Sequence, residues 1–193
     1  PELAEDILAS GDADMISMAR PFLADPHFVK KAREGRADEI NTCIACNQAC
    51  LDFIFSDRPV SCLVNPRAGH ETEFRDTPAA QPRKLAVVGG GAAGMATATE
   101  AARLGHDVTL FEAQDKLGGQ LNLARAAPGK DEFDETLRYY TGQMIKHGVK
   151  LRLGQRADAG DLTGFDHVVI ATGVTPRIPD LPGIDHPKVA TYA

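Results

Sequence analysis

The chain has 193 residues, with 21 Lys plus Arg against 27 Asp plus Glu for a formal net charge of −6, and is 43% hydrophobic and 25% charged. That is enough apolar material for one sizeable core or two small ones, which excludes intrinsic disorder, and the acidic balance without a basic stripe excludes nucleic acid as a natural partner. No run approaches the roughly eighteen unbroken apolar residues of a membrane-spanning helix; the best stretch, Leu85 to Ala98, is short and carries four glycines. Pro1 is preceded by no Met and followed by no basic start with an apolar stretch, so no signal peptide is expected. The expectation is a cytoplasmic protein without a membrane partner, with Pro1 reading as an internal cut in a longer polypeptide.

In chain order, Pro1 can open a helix whose Leu3, Ile7 and Leu8 share one face, Gly11 and Asp12 punctuate it, and Asp14 to Ala19 reads as a short strand. A second helix is predicted over Pro26 to Glu34, ended by Gly35. Helix, strand, loop and helix make one repeat of an α/β fold, and a parallel sheet cannot be built from one strand. Residues 41–66 hold every cysteine, with a helix expected within Cys43 to Phe55. From Glu71 to Arg83 the composition turns to Pro, Thr, Ala, Gln and charge, which reads as a linker.

A second unit then opens. Leu85 to Val88 reads as a buried strand, Gly91 to Leu104 as a helix rich in small residues, and Asp107 to Glu112 as a second strand. Asp131 to His147 is a long amphipathic helix with Phe133, Leu137, Tyr140 and Met144 on one face, and Val149 to Leu153 and His167 to Ala171 read as further strands. This alternation implies a parallel, Rossmann-like sheet.

Gly89, Gly91 and Gly94 form G-x-G-x-x-G directly after a strand and at the start of a helix. Gly89 permits the tight turn, Gly91 removes the side chain that would hold a pyrophosphate off the backbone, and Gly94 lets the helix pack close on the sheet. The helix N-terminus offers unpaired N–H groups to phosphate. Glu112 ends the second strand, where a carboxylate accepts ribose hydroxyls and repels a 2′-phosphate, so the pocket should take FAD or NAD and disfavour NADP.

Cys43, Cys46, Cys50 and Cys62 lie within twenty consecutive residues and no other cysteine occurs. Such clustering marks a site and not a disulfide framework. The pattern C-x2-C-x3-C-x11-C can supply four thiolates to a tetrahedral zinc or an iron-sulfur cluster. Structural zinc usually takes two separated C-x2-C pairs, so three close cysteines with a distant fourth favour a cluster. Arg20 and the backbone N–H near Ala19 sit where a phosphate would bind if residues 1–40 close a (β/α)8 barrel, since such barrels hold phosphate after strands seven and eight. His27, His70, His106, His147, His167 and His186 show no paired spacing and read as surface or core residues; Tyr139 and Tyr140 read as packing residues.

Three elements in register carry a resemblance. The glycine motif with Glu112, the following Gly118-Gly119-Gln120 and the distal Val168-Val169-Ile170-Ala171-Thr172-Gly173 are similar to the FAD domains of pyridine-nucleotide disulfide reductases. That resemblance implies FAD with Gly89, Gly91, Ala93 and Gly94 at the pyrophosphate, Glu112 at the ribose, Gly119, Gln120 and Gly173 along the cofactor, and Ala157 at the adenine.

Over essentially the whole chain, the runs Gly11 to Phe22, Ala37 to Cys50, Ser61 to Pro66 and Gly183 to Pro187 resemble the bacterial NADPH-dependent 2,4-dienoyl-CoA reductases. The resemblance implies an α/β protein in four parts. Residues 1–40 would end a (β/α)8 FMN barrel, 41–70 carry a 4Fe-4S cluster on the four cysteines, 71–83 form a linker, and 84–193 form an FAD-binding Rossmann-like domain truncated before the NADPH domain. It further implies electron flow from NADPH through FAD, the 4Fe-4S cluster and FMN to an acyl-CoA thioester in fatty acid β-oxidation. The partner of this segment would be the remainder of its own polypeptide, which holds the catalytic residues, and the segment alone would be inactive. Three other readings stay open. A trimethylamine or histamine dehydrogenase-like enzyme has the same build, although the three-residue gap between Cys46 and Cys50 favours the reductase. A flavin-dependent enoate reductase of the same build is the second, and a non-enzymatic zinc- and nucleotide-binding module is the third.

Overall fold

The apolar, β-branched run at the end of the linker forms β1 (Lys84–Val88), the centre of the sheet in the computed structural model, which describes residues 1–74 and 76–190. It pairs in parallel with β2 (Asp107–Glu112) on one side and β4 (His167–Ile170) on the other, and β3 (Lys150–Leu153) adds beyond β2, giving the order β3-β2-β1-β4. The connections are α5 (Ala92–Arg103) between β1 and β2 and α7 (Glu132–Lys146) between β2 and β3, with the short α6 (Leu121–Ala124) ahead of α7. All the expected elements of this unit form: β2 keeps its predicted bounds, β1 begins one residue earlier, α5, α7, β3 and β4 are one residue shorter at one or both ends, and the short α6 is additional. The parallel Rossmann-like α/β fold is therefore the observed one.

Local chemistry explains the boundaries. Helix α5 ends where Gly105 takes φ 98°, a left-handed conformation that closes the last turn with Gly105 N–H on Ala102 and His106 N–H on Ala101. Helix α7 carries Glu132, Asp134 and Glu135 in its first turn and Lys146 in its last, matching the helix dipole at both ends. Val87, Met95, Ala98, Val108, Leu110 and Met144 are buried together between the sheet and these helices, with Leu137 and Tyr140 packed at the margin.

The N-terminal part departs from expectation. Helices α1 (Glu2–Ser10) and α3 (Phe28–Arg33) form, but Asp14 to Ala19 is not a strand. A strand exists through its ladder, and no neighbouring strand lies beside this segment among the described residues. For the same reason Leu3 in α1 is 74% exposed. Helix α3 starts later than predicted because Pro26 and His27 turn over Asp25, whose side chain accepts the His27 N–H at 2.9 Å. An unpredicted helix α2 (Arg20–Ala24) has Pro21 in its first turn, where the missing N–H costs nothing.

The cysteine segment runs from a 3-10 turn (Ala37–Glu39) to Ala68 and includes α4 (Leu51–Phe55). Asp25, 3% exposed, joins it to the preceding helices: its carboxylate also accepts Lys31 Nζ at 2.5 Å and the Asn41 N–H at 2.9 Å. Asn41 donates to the Val64 carbonyl and Asn65 to that of Leu23, each at 2.8 Å. Ala24, Ile44 and Val64 form a second buried cluster, against which Phe133 of α7 packs.

Helix α7 thus serves both cores. On its outer side Arg138 donates to the carbonyls of Asp38 and, at 2.8 Å, Ile40, and Lys146 Nζ reaches Glu39 at 2.7 Å. A second joint is ionic: Arg67 pairs with Glu100 of α5 at 2.5 Å, and both Arg67 and Arg103 reach Asp76 in the stretch read as a linker. That stretch is also hydrogen bonded through Ala79 N–H to Leu104 at 2.8 Å, while Arg75 within it and residues 191–193 lie outside the described residues. Among the described residues no helix is long and apolar enough to cross a membrane.

Two predictions follow from the joint. Arg138→Met keeps most of the packing volume and removes the donors to Asp38 and Ile40, so unfolding by denaturant should show a loss of about 1–3 kcal/mol. The Arg103 hydrogen bond, assisted by Arg67, holds the Glu100 carboxyl below its ordinary 4.5. Because the folded value is the lower one, this stabilisation is present above pH 4.5 and fades as pH falls through the depressed value. Glu100→Gln should make the acid limb of a stability-pH profile shallower, and an unchanged limb would refute the assignment.

Candidate functional site

The first candidate site lies at the C-terminal ends of β1, β2 and β4, where the order of the strands reverses and open α/β sheets bind their ligands. Gly89 leaves β1 with φ 110°, and a Cβ there would overlap the carbonyl oxygen of Ala171 just past β4. On Gly94 a Cβ would overlap the Gly89 carbonyl. Both glycines are thus required by close backbone approach. Gly91, the N-cap of α5, differs: nothing lies within 4 Å of where its Cβ would be, so the space in front of the helix N-terminus is open. Ala93 lies in the first turn of that helix.

Glu112, 8% exposed, ends β2 beneath the glycine turn. Its Oε2 accepts the Gly90 N–H at 2.6 Å and its Oε1 the Gln114 N–H at 2.7 Å. Each oxygen has a further lone pair, so the carboxylate can be oriented by the backbone and still accept a hydroxyl. Gly118 and Gly119 turn back with φ 114° and 49°; Gly118 N–H bonds to Gly90 at 2.8 Å, and a Cβ on Gly119 would sit 3.2 Å from the Gly91 Cα. Gln120 Nε2 donates to the Val174 carbonyl at 3.2 Å, next to Gly173, whose φ is 78°. Segments far apart in sequence therefore meet around one glycine loop. Ala157 is half-buried on the irregular segment that follows β3, which is joined to the end of β2 by Gln155 N–H on the Glu112 carbonyl at 2.9 Å.

Gly90 stood only as a spacer of the glycine motif and Gly118 only as a member of the Gly118-Gly119-Gln120 run, although both contribute backbone groups to this arrangement. The excess of glycine over the minimal motif was the available signal.

The second candidate site is the cysteine pocket. Cys43, Cys46, Cys50 and Cys62, each partly buried, line one pocket, with Leu23, Ile44, Leu63 and Val64 completing an apolar wall. The loop through it bends by placing two non-glycine residues, Ala45 and Asn47, in the left-handed region at φ 52° and 59°, on either side of Cys46. Loops of this kind turn backbone N–H groups inward and recur at iron-sulfur sites. Burial pushes the Cys62 thiol up from its ordinary value, while hydrogen bonds from the Val64 and Asn65 N–H groups and the nearby Cys43 and Cys46 act on it as well. Among the described residues no group of three or more His, Cys, Asp or Glu side chains is arranged to hold a metal ion. What fits a cluster here is the donor chemistry: four thiols on one apolar pocket, with backbone N–H groups directed at sulfur.

Ala19 caps α2 and Arg20 begins it. Arg20 is exposed, reaches the same pocket, and donates from Nη1 to Asn47 Oδ1 at 2.7 Å. The sequence-predicted phosphate residue thus stands at the cysteine loop, a contact that Asn47 gave no sequence signal of making. Tyr139 and Tyr140 stack edge to face with ring centroids 5.2 Å apart, and burial, with Tyr140 beside it, pushes Tyr139 up to about 12. That suits packing residues.

A glycine loop on a parallel sheet, a ribose-ready carboxylate and an adjoining cysteine pocket define the redox flavoprotein class. Residues 83–192 match the pyridine nucleotide-disulphide oxidoreductase family, to which the chain belongs, and residues 1–39 match the NADH:flavin oxidoreductase / NADH oxidase family. The chain is 45% identical over 188 residues to a metal reductase of Desulforamulus reducens, covering 94% of this chain and 28% of the relative. A solved 2-naphthoyl-CoA reductase superposes with a TM-score of 0.96 at 42% identity, over 100% of this chain and 30% of that one. Histamine dehydrogenase from Rhizobium sp. 4-9 gives 0.83 at 35% identity, over 92% and 27%. The chain therefore spans under a third of the length of these relatives.

The two kinds of glycine should separate experimentally. Gly94→Ala should cost about 1–3 kcal/mol or more in unfolding free energy through overlap with Gly89. Gly91→Ala should leave stability within about 0.5 kcal/mol and instead reduce retention of a dinucleotide, measured as flavin per chain after gel filtration.

Proposed function

We propose that this chain is the joint of an NADPH-dependent flavoprotein reductase of conjugated CoA thioesters, of the 2,4-dienoyl-CoA reductase kind. In this reading Cys43, Cys46, Cys50 and Cys62 hold a 4Fe-4S cluster. Gly89, Gly91, Ala93, Gly94, Glu112, Gly119, Gln120, Ala157 and Gly173 hold FAD, and Ala19 and Arg20 form half of an FMN phosphate site. The divisions at 1–40, 41–70, 71–83 and 84–193 follow the same scheme, with the barrel's catalytic residues and the NADPH domain supplied by the rest of the polypeptide.

The observation that carries it is Phe133. This one side chain of the dinucleotide-domain helix α7 packs on the apolar cluster that borders Cys43, Cys46 and Cys62, so the two candidate sites share a helix. When bound, a flavin takes two electrons from a nicotinamide as hydride and an iron-sulfur cluster passes them on singly. The chain's own residues prepare for that chemistry. Glu112 is fixed by two backbone N–H groups with lone pairs left for ribose; Gly91 keeps the helix N-terminus open to phosphate; Ile44 and Val64 give the thiols an apolar wall. A CoA thioester substrate is supported by the 2-naphthoyl-CoA reductase likeness, and an amine by that to histamine dehydrogenase. The three-residue Cys46 to Cys50 gap favours the former.

The full-length enzyme should show flavin absorbance bands over a broad iron-sulfur background and contain iron and acid-labile sulfide. It should consume NADPH when a 2,4-dienoyl-CoA is added and remain idle with histamine or trimethylamine. A colourless protein containing one zinc would sink the redox reading, and turnover of amines would move it to the dehydrogenases.

A further inference from the structure

We propose that Arg20 sets the reduction potential of the cluster held by the four cysteines, with Asn47 as the residue that positions its guanidinium. The inference rests on the cluster reading above and adds a role for a residue so far tied to flavin phosphate alone.

Apart from the thiols, Arg20 is the one ionisable side chain among the described residues of the pocket wall, whose remaining members are apolar residues and Asn47. It makes no ion pair among the described residues, so no carboxylate cancels its charge there. Its position is determined by packing. Arg20 begins α2, whose Ala24 is buried with Ile44 and Val64, and the Leu23 carbonyl of the same helix accepts Asn65 Nδ2. The side chain is oriented by the 2.7 Å hydrogen bond from Nη1 to Asn47 Oδ1. Asn47 follows Cys46 directly and holds φ 59°, so any tilt of this loop moves a cysteine and the guanidinium together.

Electrostatics gives the sign. Four thiolates around a cluster make an anionic assembly, and adding an electron makes it more negative. A fixed cation at an apolar wall stabilises the reduced form more than the oxidised form and raises the potential. Guanidinium has five N–H donors, of which Asn47 occupies one, so Arg20 can face a phosphate monoester and the thiolates at once. The two roles give opposite signs on removal. Losing the cation lowers the potential, whereas losing only a neighbouring phosphate dianion raises it.

The test is an EPR-monitored redox titration of the full-length enzyme, with iron, sulfide and FMN counted in each preparation. Arg20→Gln should shift the cluster midpoint downward; Arg20→Lys, which keeps the charge and loses the fork, should shift it less. Asn47→Gly, whose replacement residue tolerates the same φ, should also lower it without touching Arg20. A wild-type midpoint or an upward shift in Arg20→Gln overturns the proposal. If Arg20→Gln fails to assemble a cluster, the decision passes to Arg20→Lys and Asn47→Gly, and wild-type midpoints in both overturn it. Absence of iron and sulfide from the wild-type enzyme would instead overturn the cluster reading itself.

Discussion

The N-terminal half of α7 lies between two apolar clusters, and the relation of the cysteine pocket to the glycine loop depends on that double contact. Leu137, Tyr140 and Met144 belong to the sheet's core, while Phe133 belongs to the cluster of Ala24, Ile44 and Val64. Arg138 reinforces the join by capping carbonyls of the turn that leads into the cysteine segment. A helix with one buried stripe is the ordinary case for a surface helix. Here a second side is engaged, so neither unit can rotate about α7 without losing apolar contact or unpairing backbone oxygens.

Two buried carboxylates solve similar problems in the two halves. Asp25 and Glu112 each spend their oxygens on backbone N–H groups that no regular element pairs. An unpaired buried N–H costs about as much as a lost hydrogen bond, so these side chains let irregular chain run through low-exposure regions. In the case of Glu112 the same placement leaves acceptor capacity facing the glycine loop, which is why a residue needed for folding also suits a ribose. Asp25 faces no such opening and serves structure alone, joining α2, α3 and the cysteine segment.

Much was legible because local pattern and tertiary outcome agree. The G-x-G-x-x-G run, the apolar strands and the α7 periodicity each predict their own element, and Gly89 and Gly94 proved to be demanded by backbone approach that only glycine allows. The expected strand over Asp14 to Ala19 failed for a complementary reason: strand character is conferred by a partner, and a short apolar run of six residues cannot supply one. Helix α2 was missed because a five-residue helix gives too little periodicity to read.

By itself the sequence determined the kind of chemistry available: four clustered thiols, a phosphate-binding turn and an acid at the end of the next strand. These follow from residue type and short spacing, which survive any arrangement of the rest. Only the tertiary structure decided which of them meet. That Gln120 reaches Val174, that Phe133 packs on the cluster of Ala24, Ile44 and Val64, and that Arg20 bonds to Asn47 are contacts between distant parts of the chain, the first across 54 residues and the last across 27. Such pairs carry no mutual signal in a single sequence, because they are brought together by the packing of elements whose cores lie elsewhere.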